Sequence, residues 1–328
     1  MRILTLCCLA VFLAATFPAH ALADFEDTVE RSFTVQPGGT LTIESDRGAI
    51  EVTTGNADRV AVTVTRKIDS SRQRTIDAVL GNLEMSFEQN GADVAIIAKY
   101  DQDLLGFSRP NLQLTFRVIV PETYDLDLRT SGGSIQVADL TGDVECRTAG
   151  GAITLQDIDG EVDARTAGGS IRVAGVTGNS LLHTSGGGIT VGNAGGTVDT
   201  QTSGGSIHIE HAEGTVFART AGGSIEANEV MGSLDAQTSG GSITAHFSGQ
   251  PDQNCSLITS GGPIHVYLNP DTRLTINART SGGGVSTDLP LTVTGQLSRN
   301  RINAVLNGGG PELTVRTSGG GISLHREI

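Results

Sequence analysis

A four-residue motif, Thr-(Ser/Ala)-Gly-Gly, begins at Thr130, Thr148, Thr166, Thr184, Thr202, Thr220, Thr238, Thr259, Thr280 and Thr317. The first six intervals are 18 residues, two of 21 follow, and the last is 37. Self-similarity at a fixed short period marks a solenoid or array, in which each unit buries its apolar face only against its neighbours. An 18-residue unit is too short for a βαβ motif, whose crossover alone takes a dozen or more residues.

Each unit has an internal pattern. Five residues after the Thr stands a β-branched residue: Ile135, Ile153, Ile171, Ile189, Ile207, Ile225, Ile243, Ile264, Val285 and Ile322. Two further on is usually another apolar residue, as at Val137, Leu155, Val173 and Val191. Twelve after the Thr is a lone Gly, from Gly142 to Gly232, and fourteen after it is usually Val or Leu. These are two runs of period two broken by glycine, which is strand alternation. The expected fold is all-β: a single-stranded, right-handed parallel β-helix with one repeat per coil and a short helix in the N-terminal part. The hand follows from the general preference of parallel crossovers. At roughly 4.8 Å per strand, ten coils make a rod of about 48 Å.

The Gly pair reads as the corner of each coil, where glycine supplies positive φ. Stacking would set Ile on Ile and let Thr bond Thr. A phosphate-binding glycine loop occurs once and leads into a helix, whereas this one recurs ten times and leads into a strand. Cys146 and Cys255 fall on inward columns about six coils apart. That is near 29 Å at the strand spacing, far beyond disulfide reach, so two buried free thiols are expected.

Outside the repeats the pattern loosens. Residues 40–55 read as a degenerate coil with Gly48-Ala49-Ile50 at the corner. Residues 71–88 place Ile76, Leu80, Leu83 and Phe87 at helical spacing, with Ser71 as N-cap. The organisation expected is a signal peptide at 1–23, irregular N-terminal coils and an end-closing segment at 24–129, and regular coils at 130–328 with an enlarged last coil at 286–316. The signal reading rests on the basic Met1-Arg2, the apolar 3–17 and the site Ala21-Leu22-Ala23. Cys7 and Cys8 sit inside the apolar run, which does not suit a lipid anchor. No later segment has the length and apolarity of a membrane span.

The outward columns are the place to look for chemistry. Before each Thr stand Arg129, Arg147, Arg165, His183, Gln201, Arg219, Gln237, Ile258, Arg279 and Arg316. Two residues earlier stand Asp127, Glu145, Asp163, Leu181, Asp199, Phe217 and Asp235. Adjacent acidic and basic ladders neutralise each other, and the stripe is interrupted at Leu181 and Phe217. Paired carboxylates for glycoside chemistry need a defined separation and one perturbed member; stacked coils give the distance everywhere and single out no pair. His208 and His211 have no evident third ligand, and zinc needs three or four. The calcium-binding nonapeptide pattern lacks its Asp. An ice-binding Thr array would need outward Thr, but these share the parity of the inward Val and Ala.

The net charge of −14 makes nucleic acid and anionic membrane surfaces poor partners. With no Trp and three Tyr, the chain is short of the aromatic side chains that dominate interface hot spots. The passages "FTVQPGGTLTIESDRGAIEV" and "RVIVPETYDLDLRTSGGSIQV", with the TSGGSI-type repeats, resemble a family of exported bacterial β-strand-repeat proteins. That family is of unknown function and is usually labelled adhesin. The resemblance implies a β-helix without catalytic residues. Catalytic, cofactor and metal sites are expected to be absent. The expected function is a non-catalytic envelope or surface scaffold or binding module, in the periplasm or at the cell exterior. Its partner would be an envelope or surface protein or polysaccharide. A carbohydrate-active lyase or hydrolase on the same fold is the alternative, and a periplasmic signalling partner is a third reading.

Overall fold

Alternation of inward apolar and outward polar residues, interrupted by glycine every few positions, leaves each repeat only two short strands. The computed structural model describes residues 24–55, 57–100, 112–294 and 298–327; the expected signal segment at 1–23 lies outside them. Each repeat gives one strand to each of two sheets of 15 strands. Val144–Thr148 pairs in parallel with Val162–Thr166, matching Val144 to Val162 and Thr148 to Thr166. Ile153–Asp159 pairs in parallel with Ile171–Val176 in the other sheet, Ile153 opposite Ile171. The inward Ile column is sealed at every level from Ile135 to Ile264, and it joins one continuous core.

The corners work differently from the sequence expectation in two respects. The left-handed glycines among the described residues are Gly38, Gly48, Gly91, Gly142, Gly308 and Gly309, and none belongs to a repeated Gly-Gly pair. The second Gly of each pair is required by closeness instead. A Cβ on Gly151 would lie 1.9 Å from the Gly133 carbonyl oxygen, and one on Gly223 would lie 2.0 Å from that of Gly205. The first Gly is freer: a Cβ on Gly150 would find its nearest neighbour at 3.9 Å.

The second difference concerns threonine. The Thr hydroxyls do not bond one another. Thr148 Oγ1 donates to the Gly133 carbonyl at 2.9 Å and accepts the Gly151 N–H at 3.2 Å. Thr184 repeats this with Gly169 at 2.8 Å and Gly187 at 3.4 Å. All ten motif threonines donate to a glycine carbonyl of the adjacent coil. The carbonyl that crowds the second Gly is therefore the one that receives the hydroxyl. A Cβ there would push the coils apart and break that bond.

The N-terminal strands extend both sheets at one end. Phe25–Thr34 lies antiparallel to Arg59–Ile68, and Leu83–Asn90 lies antiparallel to Asp93–Tyr100. The degenerate coil is in register with the repeats, with Ile50 opposite Ile135 and Ser45 in the Thr column. The helix is shorter than the spacing predicts. It covers Gln73–Gly81, its cap position is Arg72 with no side-chain cap, and Ile76 and Val79 are its buried residues. Leu83 and Phe87 belong to the strand Leu83–Asn90. Asn82, just past Gly81, caps the helix with its backbone N–H on the Leu80 and Val79 carbonyls, so the chain leaves the helical path there.

At the other end, spatial order departs from sequence order. In one sheet Glu312–Thr317 lies between Cys255–Thr259 and Leu274–Thr280. In the other, Ile322–Arg326 lies between Ile264–Leu268 and Val285–Thr287. Thr317 accordingly donates to Gly262, and Thr280 donates to Gly320. The cause is the antiparallel pairing of Leu274–Thr280 with Arg301–Leu306, which occupies the outer side of Leu274–Thr280. Only its inner side is left for the returning chain. The return is made by Asn307, Gly308 and Gly309, all at positive φ, with Asn307 Nδ2 donating to the Pro270 and Thr272 carbonyls.

Gly151→Ala is expected to lower unfolding stability by about 1–3 kcal/mol through overpacking, while Gly150→Ala stays within about 0.5 kcal/mol of the parent. Urea unfolding of the two variants measures this, and equal effects would refute the crowding argument. Thr184→Val, which keeps the shape and removes the hydroxyl, is expected to cost about 1–3 kcal/mol by orphaning the Gly169 carbonyl and the Gly187 N–H.

Candidate functional site

The outward faces are built from residues the core does not need, and their columns change chemistry along the stack. On the sheet that carries the motif threonines, the carboxylate and arginine columns meet side by side. Arg129 contacts Asp127 at 2.8 Å and Glu145 at 3.0 Å; Arg147 contacts Glu145 at 2.9 Å. Arg165 contacts Asp163 at 2.8 Å and Arg219 contacts Asp235 at 3.3 Å. The hydrogen bond and charge of Asp127 hold the Arg129 guanidinium above its usual range. These pairs are about half exposed, so each contributes at most about 1 kcal/mol. They relieve the repulsion of stacked like charges. Leu181 and Phe217 interrupt the stripe, with Arg219 lying 5.7 Å from the Phe217 ring centre.

The lone-Gly corners carry a second set of carboxylates. Asp125 Oδ1 accepts the Asp143 N–H, and Asp143 Oδ1 accepts the Glu161 N–H, both at 2.9 Å. Asn179 Oδ1 continues the series by accepting the Thr197 N–H at 3.0 Å. These side chains bridge one coil to the next. Open grooves of about 630 and 770 Å³ flank this edge, the first lined by Asp139, Asp157, Asp159 and His211 among others.

His208 and His211 lie on the strand Ile207–Ala212, half exposed and each between two glutamates. His208 Nε2 is 2.5 Å from Glu210 and its Nδ1 is 3.3 Å from Glu226. His211 Nδ1 is 3.1 Å from Glu229. The His208 hydrogen bond holds the Glu210 carboxyl below its usual range. Among the described residues no group of three or more His, Cys, Asp or Glu side chains is placed to hold a metal ion.

One surface feature escaped the sequence reading. His246 stacks on Tyr267 at 4.2 Å between ring centres, and Tyr267 stacks on His325 at 5.1 Å. Glu327 lies 3.2 Å from His246, and Asp288 lies 3.1 Å from His325. The His325 hydrogen bond lowers the Asp288 carboxyl below its ordinary range. His246 and Tyr267 are 21 residues apart, which matches the local repeat. His325 joins them only because the strand Ile322–Arg326 is inserted next to Ile264–Leu268.

Cys146 and Cys255 are both buried and free, on strands six places apart in one sheet. Burial pushes both thiols up, Cys255 to about 11.

The sequence matches a known family. The Toastrack DUF4097 model covers residues 39–325. The chain belongs to that family. Solved structures similar to it include a candidate adhesin from Bacteroides fragilis, 11% identical, TM-score 0.38, covering 92% of this chain and 97% of that one. A candidate adhesin from Parabacteroides merdae is 8% identical with TM-score 0.36, covering 92% and 96%. A candidate cell adhesion protein from Clostridium sporogenes is 12% identical with TM-score 0.21, covering 92% and 100%. No curated protein matches the chain. Among the described residues no helix is long and apolar enough to cross a membrane.

Neither thiol is expected to react with Ellman's reagent at pH 8 until the protein is unfolded in urea; labelling of native protein would contradict the burial. The raised thiols also set a pH trend. The unfolded chain ionises cysteine near 9.0, whereas folded Cys255 keeps its proton to about 11. The folded state binds more protons in that window, so stability falls as pH rises through it. Unfolding curves at pH 8, 9.5 and 10.5 measure the fall, and Cys255→Ala is expected to reduce it, the buried Cys146 thiol carrying the rest.

Proposed function

We propose that this Toastrack protein is a non-catalytic exported scaffold of the bacterial envelope or surface, acting as an adhesion-type binding module. The observation that carries the reading is the contrast between its two kinds of column. The inward Ile column and the Thr–Gly contact repeat almost without change, while outward positions move from Asp to Leu to Phe and from Arg to His to Ile. Such a chain invests its regularity in a rigid support and leaves its surface free to vary. In this reading the coils wind as one right-handed parallel β-helix of 18-residue turns. Residues 24–129 close its N-terminal end, residues 130–328 form the rod, and 286–316 enlarge the far end. Residues 1–23 direct export and are removed.

The acidic surface favours a protein or polysaccharide partner over nucleic acid or an anionic bilayer. Cell fractionation of the native host, with protease treatment of intact cells, tests the reading. The tagged protein should appear in the envelope or at the surface, shortened by the length of residues 1–23. An uncleaved cytoplasmic protein would overturn it.

A further inference from the structure

The inward Ile column is sealed from Ile135 to Ile264 and again at Ile322, each at most 1% exposed. Its outermost member, Val285, is only half buried. Among the described residues no strand lies beyond Val285–Thr287, which ends its sheet. The chain instead folds back over this end. Residues 288–294 cross it, and the Val285 N–H donates to the Arg299 carbonyl at 2.9 Å. Between this fold-back and the last coil lies a pocket of about 470 Å³. Its walls are Val285, Leu289, Leu291, Val293 and Ile302, and Arg299 is the one charged residue among its described lining. Leu289 and Ile302 form a buried floor, whereas Val293 is 41% exposed at the mouth.

Among the described residues the pocket is thus a largely apolar recess at the end of the core, with Arg299 as the charged residue of its lining. A rod of this kind normally needs a polar cap over its last layer, and leaving apolar side chains accessible costs free energy unless something covers them. We propose that this end binds a single-chain fatty acid. The alkyl chain would continue the apolar columns past Val285, and the carboxylate would pair with the Arg299 guanidinium. Arg299 decides the sign of the head group, since a cationic amphiphile would be repelled there. Size sets the chain length. An apolar cavity of roughly 150 Å³ holds one six-carbon benzene, so a pocket of about 470 Å³ has ample room for a chain of about ten to twelve carbons.

Isothermal titration of the purified protein with decanoate, dodecanoate and dodecanol tests the proposal. Each buried methylene is worth about fourfold in affinity. Dodecanoate should therefore bind 1:1, at least fivefold more tightly than decanoate. Val293→Asp should weaken dodecanoate at least tenfold. Arg299→Glu should weaken dodecanoate severalfold and leave dodecanol unchanged. Thr287→Trp, which fills the mouth from an exposed position, is the second blocking variant should Val293→Asp fail to give the parent circular dichroism spectrum and melting curve. Absence of saturable 1:1 binding, binding undiminished in a folded mouth variant, or equal loss of dodecanoate and dodecanol in Arg299→Glu would overturn it.

Discussion

The contact between a threonine hydroxyl and a glycine carbonyl of the neighbouring coil holds the architecture in register. Ladder hydrogen bonds alone would permit a strand to slip by two residues without turning its apolar face outward. The hydroxyl removes that freedom. It reaches one carbonyl of the coil beside it and takes one N–H from its own corner, so both polar groups of a tight, half-buried bend are satisfied. A methyl group at the second glycine would occupy the same space. Threonine and glycine are therefore one device, and neither can be exchanged without loss of the other's role.

Much of this was legible in the sequence, because a period leaves little freedom. The two-strand unit, the inward Ile column, the free thiols and the neutralised arginine ladder all follow from counting. What escaped was of two kinds. The reason for the glycines was misread, since close approach and positive φ call for the same residue and only the position of the neighbouring carbonyl separates them. The spatial order at the end of the array is not in the sequence either, because motif spacing gives the order of Thr280 and Thr317 along the chain, and the pairing of Leu274–Thr280 with Arg301–Leu306 reverses that order in space. The stack of His246, Tyr267 and His325 was hidden for the same reason. On the helix, Leu83 and Phe87 have helical spacing from Ile76 and Leu80, but they also satisfy alternation with Met85, and pairing with Asp93–Tyr100 decided for the strand.

The surface shows how a protein short of aromatic residues can still present distinct faces. One sheet is outwardly a mosaic of ion pairs, the lone-Gly edge is acidic, and the far half of the other sheet carries histidine and tyrosine. These faces are held on one rigid support, and each can change without disturbing the core.

The insertion of Glu312–Thr317 and Ile322–Arg326 between earlier strands has a consequence for assembly. A solenoid can ordinarily grow layer by layer, each new coil settling on the one just made. Here Leu274–Thr280 and Val285–Thr287 have no template until a segment made later has been laid down beneath them. Some fifty residues of newly made chain must wait, apolar edges open, before two layers close together. The regular coils can form while the chain is being made, but the far end can be completed only afterwards, when the later strands are in place.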